Sequence, residues 1–134
     1  MIRSLGAFLL LLFIMETDVT AQSANRATIT PAEVHALLGR DSTHLFLDVR
    51  TQGEFDGPSG RVPGSMLIPV QDLEARMNEL APYRSKTIIV ICRSGNRSGF
   101  ATAMLREQGY TALNMVGGMI RWNAEQLRAE HTEQ

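Results

Sequence analysis

The amino-acid sequence predicts an α/β domain, with a central, mostly parallel sheet flanked by helices on both faces. Three observations lead there. Strand-like and helix-like segments alternate along the chain, which is the arrangement of βα units. The segment Thr87-Ile88-Ile89-Val90-Ile91 is β-branched throughout, as suits a central parallel strand covered on either side. Parallel strands joined by right-handed crossovers then send helices to both faces.

The first residues read as an export signal rather than as part of that domain. Met1-Ile2-Arg3-Ser4 is a short positive start, Leu5 to Met15 is almost wholly apolar, and Val19-Thr20-Ala21 is a small-residue exit. These are the marks of a secretory signal peptide, and the apolar run is shorter than the roughly 20 residues that a spanning helix needs. Residues 1–21 are expected to be cleaved after Ala21, with Ala24 as second choice. An uncleaved anchor is the alternative, because Glu16 and Asp18 are unusual near such a site. The mature protein is expected in the bacterial periplasm, without stable membrane insertion. Residues 22–27 then form a linker, 28–130 the domain and 131–134 a tail.

Along the domain, Ala27-Thr28-Ile29 can pair as a small strand. Thr30-Pro31-Ala32-Glu33 reads as a helix start: Thr30 caps, Pro31 suits the first position, and Glu33 can bond back to the cap. Val34, Leu37 and Leu38 give the apolar face, with Gly39 as stop. His35 beside them reads as a partly exposed surface residue. His44 to Val49 is a buried strand ending in polar residues. Thr51 to Gly64 holds four glycines and two prolines, so a long loop is expected, with one helical turn around Glu54-Phe55. Met66-Leu67-Ile68 is a short strand closed by Pro69. Leu73, Met77 and Leu80 have helical spacing, which predicts a helix over 72–80. After Thr87–Ile91, a helix is predicted over 97–108 with Phe100, Ala101, Met104 and Leu105 buried. Leu113 to Val116 is the last strand and Met119 to Ala129 the last helix. Met77, Met104 and Met119 read as packing residues.

The composition excludes several functions. The 134 residues are 44% apolar and 20% charged, with a formal net charge of −1, enough for one packed domain. No clustered basic stripe offers a footprint for nucleic acid. His35, His44, His131 and Cys92 show no metal-ligand spacing. No dinucleotide or phosphate-loop glycine pattern occurs, so no cofactor is expected.

The chemistry converges on the single cysteine. One cysteine cannot close an internal disulfide, so its thiol is either buried and inert or exposed for a purpose. Cys92 follows the strongest strand and therefore lies at the carboxyl edge of the sheet, where open α/β sheets bind ligands. Arg93-Ser94-Gly95-Asn96-Arg97-Ser98 and then a helix follow it. The backbone N–H groups of such a loop can curl into a cradle, and the helix start adds partial positive charge. Gly95 permits the left-handed backbone angle that the curl demands, and Asn96 tolerates one. Those donors, with Arg93 and Arg97, would stabilise a thiolate and receive an anionic substrate. A buried structural cysteine is the alternative; six polar or glycine residues with two arginines weigh against it.

Three motifs resemble the rhodanese family. Leu47-Asp48-Val49-Arg50-Thr51, Glu54-Phe55, Gly60-Arg61-Val62-Pro63-Gly64-Ser65 and Ile68-Pro69 resemble the front half of such a domain. Cys92 to Ser98 resembles its active-site loop, and Gly117-Gly118-Met119-Ile120-Arg121-Trp122 its closing motif. The resemblance covers roughly residues 28–128. It implies a three-layer domain with a five-stranded, mostly parallel sheet, and sulfane-sulfur transfer through a persulfide on Cys92. Thiosulfate or a similar small anion would be the donor, with sulfite leaving. The acceptor would be cyanide in the test tube, and a thiol, including a protein dithiol, in the cell. Arg93, Ser94, Gly95, Asn96, Arg97 and Ser98 would be the substrate-binding loop. Asp48 and Arg50 would give supporting hydrogen bonds, with an ordinary strand-end ion pair as alternative. Two features depart from the family pattern: Arg61 stands where histidine is frequent, and Gly57-Pro58-Ser59 look like extra length. Trp122 reads as core packing.

Two other functions compete. Cysteine-based phosphatases, and by the same chemistry arsenate reductases, also hold a cysteine in an anion cradle. The phosphatases have one residue more between cysteine and arginine than the four here. A sulfur carrier or docking module without efficient turnover is the second. The enzymatic reading requires Cys92 to be ionised and open to solvent within its loop.

Overall fold

A β-branched run needs partners on both edges and cover on both faces, and Thr87–Ile91 receives them. In the computed structural model of the protein, which describes residues 26–40 and 43–133, five strands form: β1 (Thr28–Ile29), β2 (His44–Asp48), β3 (Met66–Leu67), β4 (Thr87–Ile91) and β5 (Thr111–Met115). They make one sheet in the order β1-β5-β4-β2-β3, parallel at every pairing. The most apolar strand is thus central. The expected signal segment 1–21 and both cleavage sites lie outside the described residues, as do linker residues 22–25 and Gln134. Among the described residues, no helix is long and apolar enough to cross a membrane.

The described residues form four α-helices: α1 (Pro31–Leu37), α2 (Gln52–Phe55), α3 (Asn96–Glu107) and α4 (Gly118–Thr132). The alternation along β4 sorts them. Ile88, Val90 and Cys92 face an apolar cluster with Leu47, Leu73, Leu80, and Ala101 and Leu105 of α3. Ile89 and Ile91 face the opposite cluster, with Val34 of α1 and Met119 and Trp122 of α4. Trp122 is core, while His35 is exposed with its ring 5.7 Å from that of Trp122. The capping box at Thr30 and Glu33 forms as the spacing predicts, with Pro31 at the first position.

Three expectations change. Residues 72–80 do not form an α-helix. Two 3-10 segments, Val70–Asp72 and Met77–Tyr83, stand there instead, joined by turns over 73–76. Leu73 and Leu80 are still buried completely, and Pro82 inside the second segment cannot donate to an α-helical ladder. Phe100 is 65% exposed rather than buried, and Met104 is half-buried. The buried stripe of α3 is Ser98, Ala101, Thr102 and Leu105, an i, i+3, i+4, i+7 set that leaves Phe100 on the far side.

Candidate active site

β4 delivers Cys92 to the carboxyl edge of the sheet with its side chain on the face covered by α3. The chain must then reverse into that helix within Arg93, Ser94 and Gly95. Gly95 makes the reversal at φ +100°, and a Cβ there would lie 3.3 Å from the Gly117 nitrogen. Only glycine meets both demands. The turn aims the Gly95 N–H at the sulfur, which it reaches at 3.0 Å. Ser98, in the first turn of α3, brings its Oγ to 3.1 Å from the same sulfur. Burial pushes the thiol up. The Ser98 hydroxyl and the N–H groups of Ser98, Gly95 and Ser94 push it down further, so the net shift is below the ordinary thiol value.

A second helix closes the loop from behind. Met119 N–H donates to the Cys92 carbonyl at 2.9 Å and Ile120 N–H to that of Arg93 at 3.0 Å. These are orphan donors of the first turn of α4, satisfied by the strand end rather than by water. The approach is close enough that a Cβ on Gly118, at φ +56°, would sit 2.4 Å from the Arg93 oxygen. The Gly117-Gly118 pair is therefore what lets α4 dock on the cysteine loop.

The two loop arginines have different surroundings. Arg97 makes two bonds to the Glu54 carboxylate, Nη1 at 2.8 Å and Nη2 at 2.7 Å. Its charge still senses the thiolate, but its fork is occupied, which differs from its expected role of receiving the donor. Arg93 is exposed, and its side chain makes no hydrogen bond or ion pair with the described residues. Ser94 and Asn96 are exposed at the same rim. The expected openness of Cys92 also needs correction. The residue is only 1% exposed, because the strand register turns its side chain into the α3 cluster. Its donors are met inside the protein.

Asp48 and Arg50 form a fully buried ion pair, with Nη2 to Oδ2 at 2.8 Å. Arg50 also donates to Ser59 Oγ at 3.0 Å and to the Gly60 carbonyl at 2.8 Å. Ser59, one of the three residues that look like extra length in the sequence, thus supplies a partner for a buried guanidinium. Arg61 stacks over the Phe55 ring at 4.2 Å. The hydrogen-bond partners of the sulfur among the described residues are Gly95 and Ser98, not Asp48, Arg50 or Arg61.

Sequence reasoning missed two participants. Glu54 holds Arg97 and also accepts from the Thr51 backbone and hydroxyl in a second capping box. The Thr51-x-x-Glu54 spacing could have shown that box. Asn114 accepts from the Ser98 hydroxyl at 2.6 Å and donates to the Gly95 carbonyl at 3.1 Å. An amide inside an otherwise apolar strand is disfavoured and was a visible signal. Among the described residues, no group of three or more His, Cys, Asp or Glu could hold a metal.

The five-stranded parallel sheet and its flanking helices have counterparts among known proteins. The rhodanese-like domain profile matches residues 30–125. The chain belongs to the rhodanese-like domain family. A sulfurtransferase of Allochromatium vinosum is 37% identical over 79 residues, covering 58% of this chain and 70% of that protein. A maize protein named adenylyltransferase and sulfurtransferase MOCS3-1 is 36% identical over 121 residues. The match covers 81% of this rhodanese-like chain but only 25% of the maize protein. A crystal structure of a rhodanese-like domain protein from Staphylococcus aureus superposes with TM-score 0.64 at 28% identity, covering 72% of this chain and 90% of that one. The family and these names support a rhodanese-type sulfurtransferase in general terms, without fixing a donor or an acceptor.

Proposed function

We propose that this rhodanese-like domain moves a sulfane sulfur from thiosulfate, or a similar small anionic donor, to a thiophilic acceptor through a persulfide on Cys92. The observation that carries the reading is the set of donors converging on the Cys92 sulfur, with Gly95 N–H at 3.0 Å and Ser98 Oγ at 3.1 Å. A thiol whose thiolate is favoured attacks the outer sulfur of thiosulfate. A new S–S bond forms, the old one breaks, and its electron pair leaves with sulfite. The acceptor, cyanide or a thiol, then attacks the outer sulfur, and the electron pair of the breaking S–S bond returns to Cys92 as thiolate.

The Cys92 sulfur is nearly buried, so this reading requires the donor to reach it through the loop rim. On this reading the persulfide, one atom longer than the thiol, presents its outer sulfur to the exposed rim of Ser94 and Arg93, where donor and acceptor approach. Arg93 carries the free charge at that rim, so it recruits the anion, while Arg97 is held by Glu54. Intact mass after thiosulfate treatment tests the reading. The expected result is a gain of about 32 Da, one sulfur atom, removed by cyanide and absent in Cys92→Ser. Loading without release to any acceptor points to a carrier instead. No gain with any sulfane donor overturns sulfur transfer.

A further inference from the structure

The Ser98 hydroxyl has one proton and two claimants. It is fully buried, lies 3.1 Å from the Cys92 sulfur and donates at 2.6 Å to Asn114 Oδ1. The Asn114 amide cannot be turned round, because its Nδ2 donates to the Gly95 carbonyl, a group that only accepts. While the sulfur carries a proton, all are satisfied: S–H donates to Oγ, and O–H donates to Oδ1. Once the sulfur is a thiolate, it only accepts. An Oγ still donating to Asn114 would then turn a lone pair toward a negative charge in a buried site, where electrostatic terms are strengthened.

We propose that Ser98 is a two-position hydroxyl, held by Asn114 while the Cys92 sulfur is protonated or bonded to a second sulfur, and turned onto that sulfur whenever it is a thiolate. Asn114 is the positioning residue. It lies on β5 opposite Val90 of β4, and its one amide braces both Ser98 and Gly95, two of the residues whose groups approach the sulfur. Asn114 is half-buried, so water can take over its carbonyl when the hydroxyl turns away. The proton never leaves Ser98; only its direction changes. Resting on the sulfur-transfer reading, the device serves both half-reactions. It supports the thiolate before attack, and it returns as the electron pair of the breaking S–S bond arrives on Cys92.

The rate of Cys92 alkylation by iodoacetamide against pH tests this without any sulfur donor. Its outcome is therefore separate from the mass measurement that tests sulfur transfer. In Ser98→Ala the midpoint is expected to rise by on the order of one pH unit. Asn114→Asp, which binds the hydroxyl proton more strongly, is expected to raise it too, by much less when Ser98 is already alanine. An unchanged midpoint in folded Ser98→Ala overturns the proposal. So does an Asn114→Asp shift of equal size in both backgrounds, since the added charge alone would account for it. Should Asn114→Asp not fold, the Ser98→Ala profile decides alone.

Discussion

The Cys92 sulfur and the two arginines beside it show how little residue type alone says about role. Arg93 and Arg97 have the same chemistry and flank the same loop. Glu54 takes both arms of Arg97, and Arg93 keeps none of its donors occupied by the described residues. A free surface charge acts on encounter and is screened by salt. Arg93→Ala is therefore expected to raise KM for thiosulfate by roughly three- to tenfold at low ionic strength, with kcat within about twofold. The difference should shrink as salt is added. Steady-state kinetics at two salt concentrations check this, and a loss confined to kcat would contradict it.

At the scale of elements, two helix starts and one strand end make the site. The turn into α3 aims the Ser94 and Gly95 amides at the sulfur, joined by the Ser98 amide of its first turn, and α4 directs its own first amides to the carbonyls of Cys92 and Arg93. The contact between α4 and the loop depends on a missing side chain. In Gly118→Ala the new Cβ meets backbone at 2.4 Å and the residue must also hold a left-handed conformation. Neither can relax without moving the loop. Unfolding in urea is expected to show a loss of about 2–4 kcal/mol, and alkylation of Cys92 should lose its depressed midpoint. A variant as stable as the parent would show that α4 can be displaced freely. The buried Asp48–Arg50 pair works at the same scale, tying the end of β2 to the loop at Ser59 and Gly60.

Over the whole molecule, Glu54 links segments 43 residues apart in the chain, the helical turn α2 and the start of α3. The Arg97 bonds pull its carboxyl down, burial opposes them, and Thr51 adds to the fall, leaving the group at about 2. An unfolded glutamate titrates near 4.3. The folded chain therefore holds this proton less readily than the unfolded one. The resulting stability is present in full above about pH 4.3 and is lost as pH falls toward about 2. Glu54→Gln is expected to be less stable than the parent at pH 6, with the two converging across that acid window. Urea midpoints measured from pH 6 to pH 2 check this, and a gap that widens on acidification would refute it.

Local chemistry in the chain determined much of this protein. β4 has the bounds that its β-branched run predicts, α1 starts at its capping box, and Gly95 turns where a glycine before a helix must. Cys92 was legible as the centre of the candidate site because the residues whose N–H and hydroxyl groups reach its sulfur follow it within six positions. Tertiary structure decided what depends on residues far apart in sequence. Phe100 faces out because the stripe of α3 that meets the sheet is Ser98, Ala101, Thr102 and Leu105, a choice that the spacing of apolar residues does not report. Arg97 is engaged and Arg93 free because α2 happens to present Glu54 to one of them. Asn114 reaches the sulfur's donors only because β5 pairs beside β4, and hydrogen bonds of that kind are made by strand order, not by spacing along the chain.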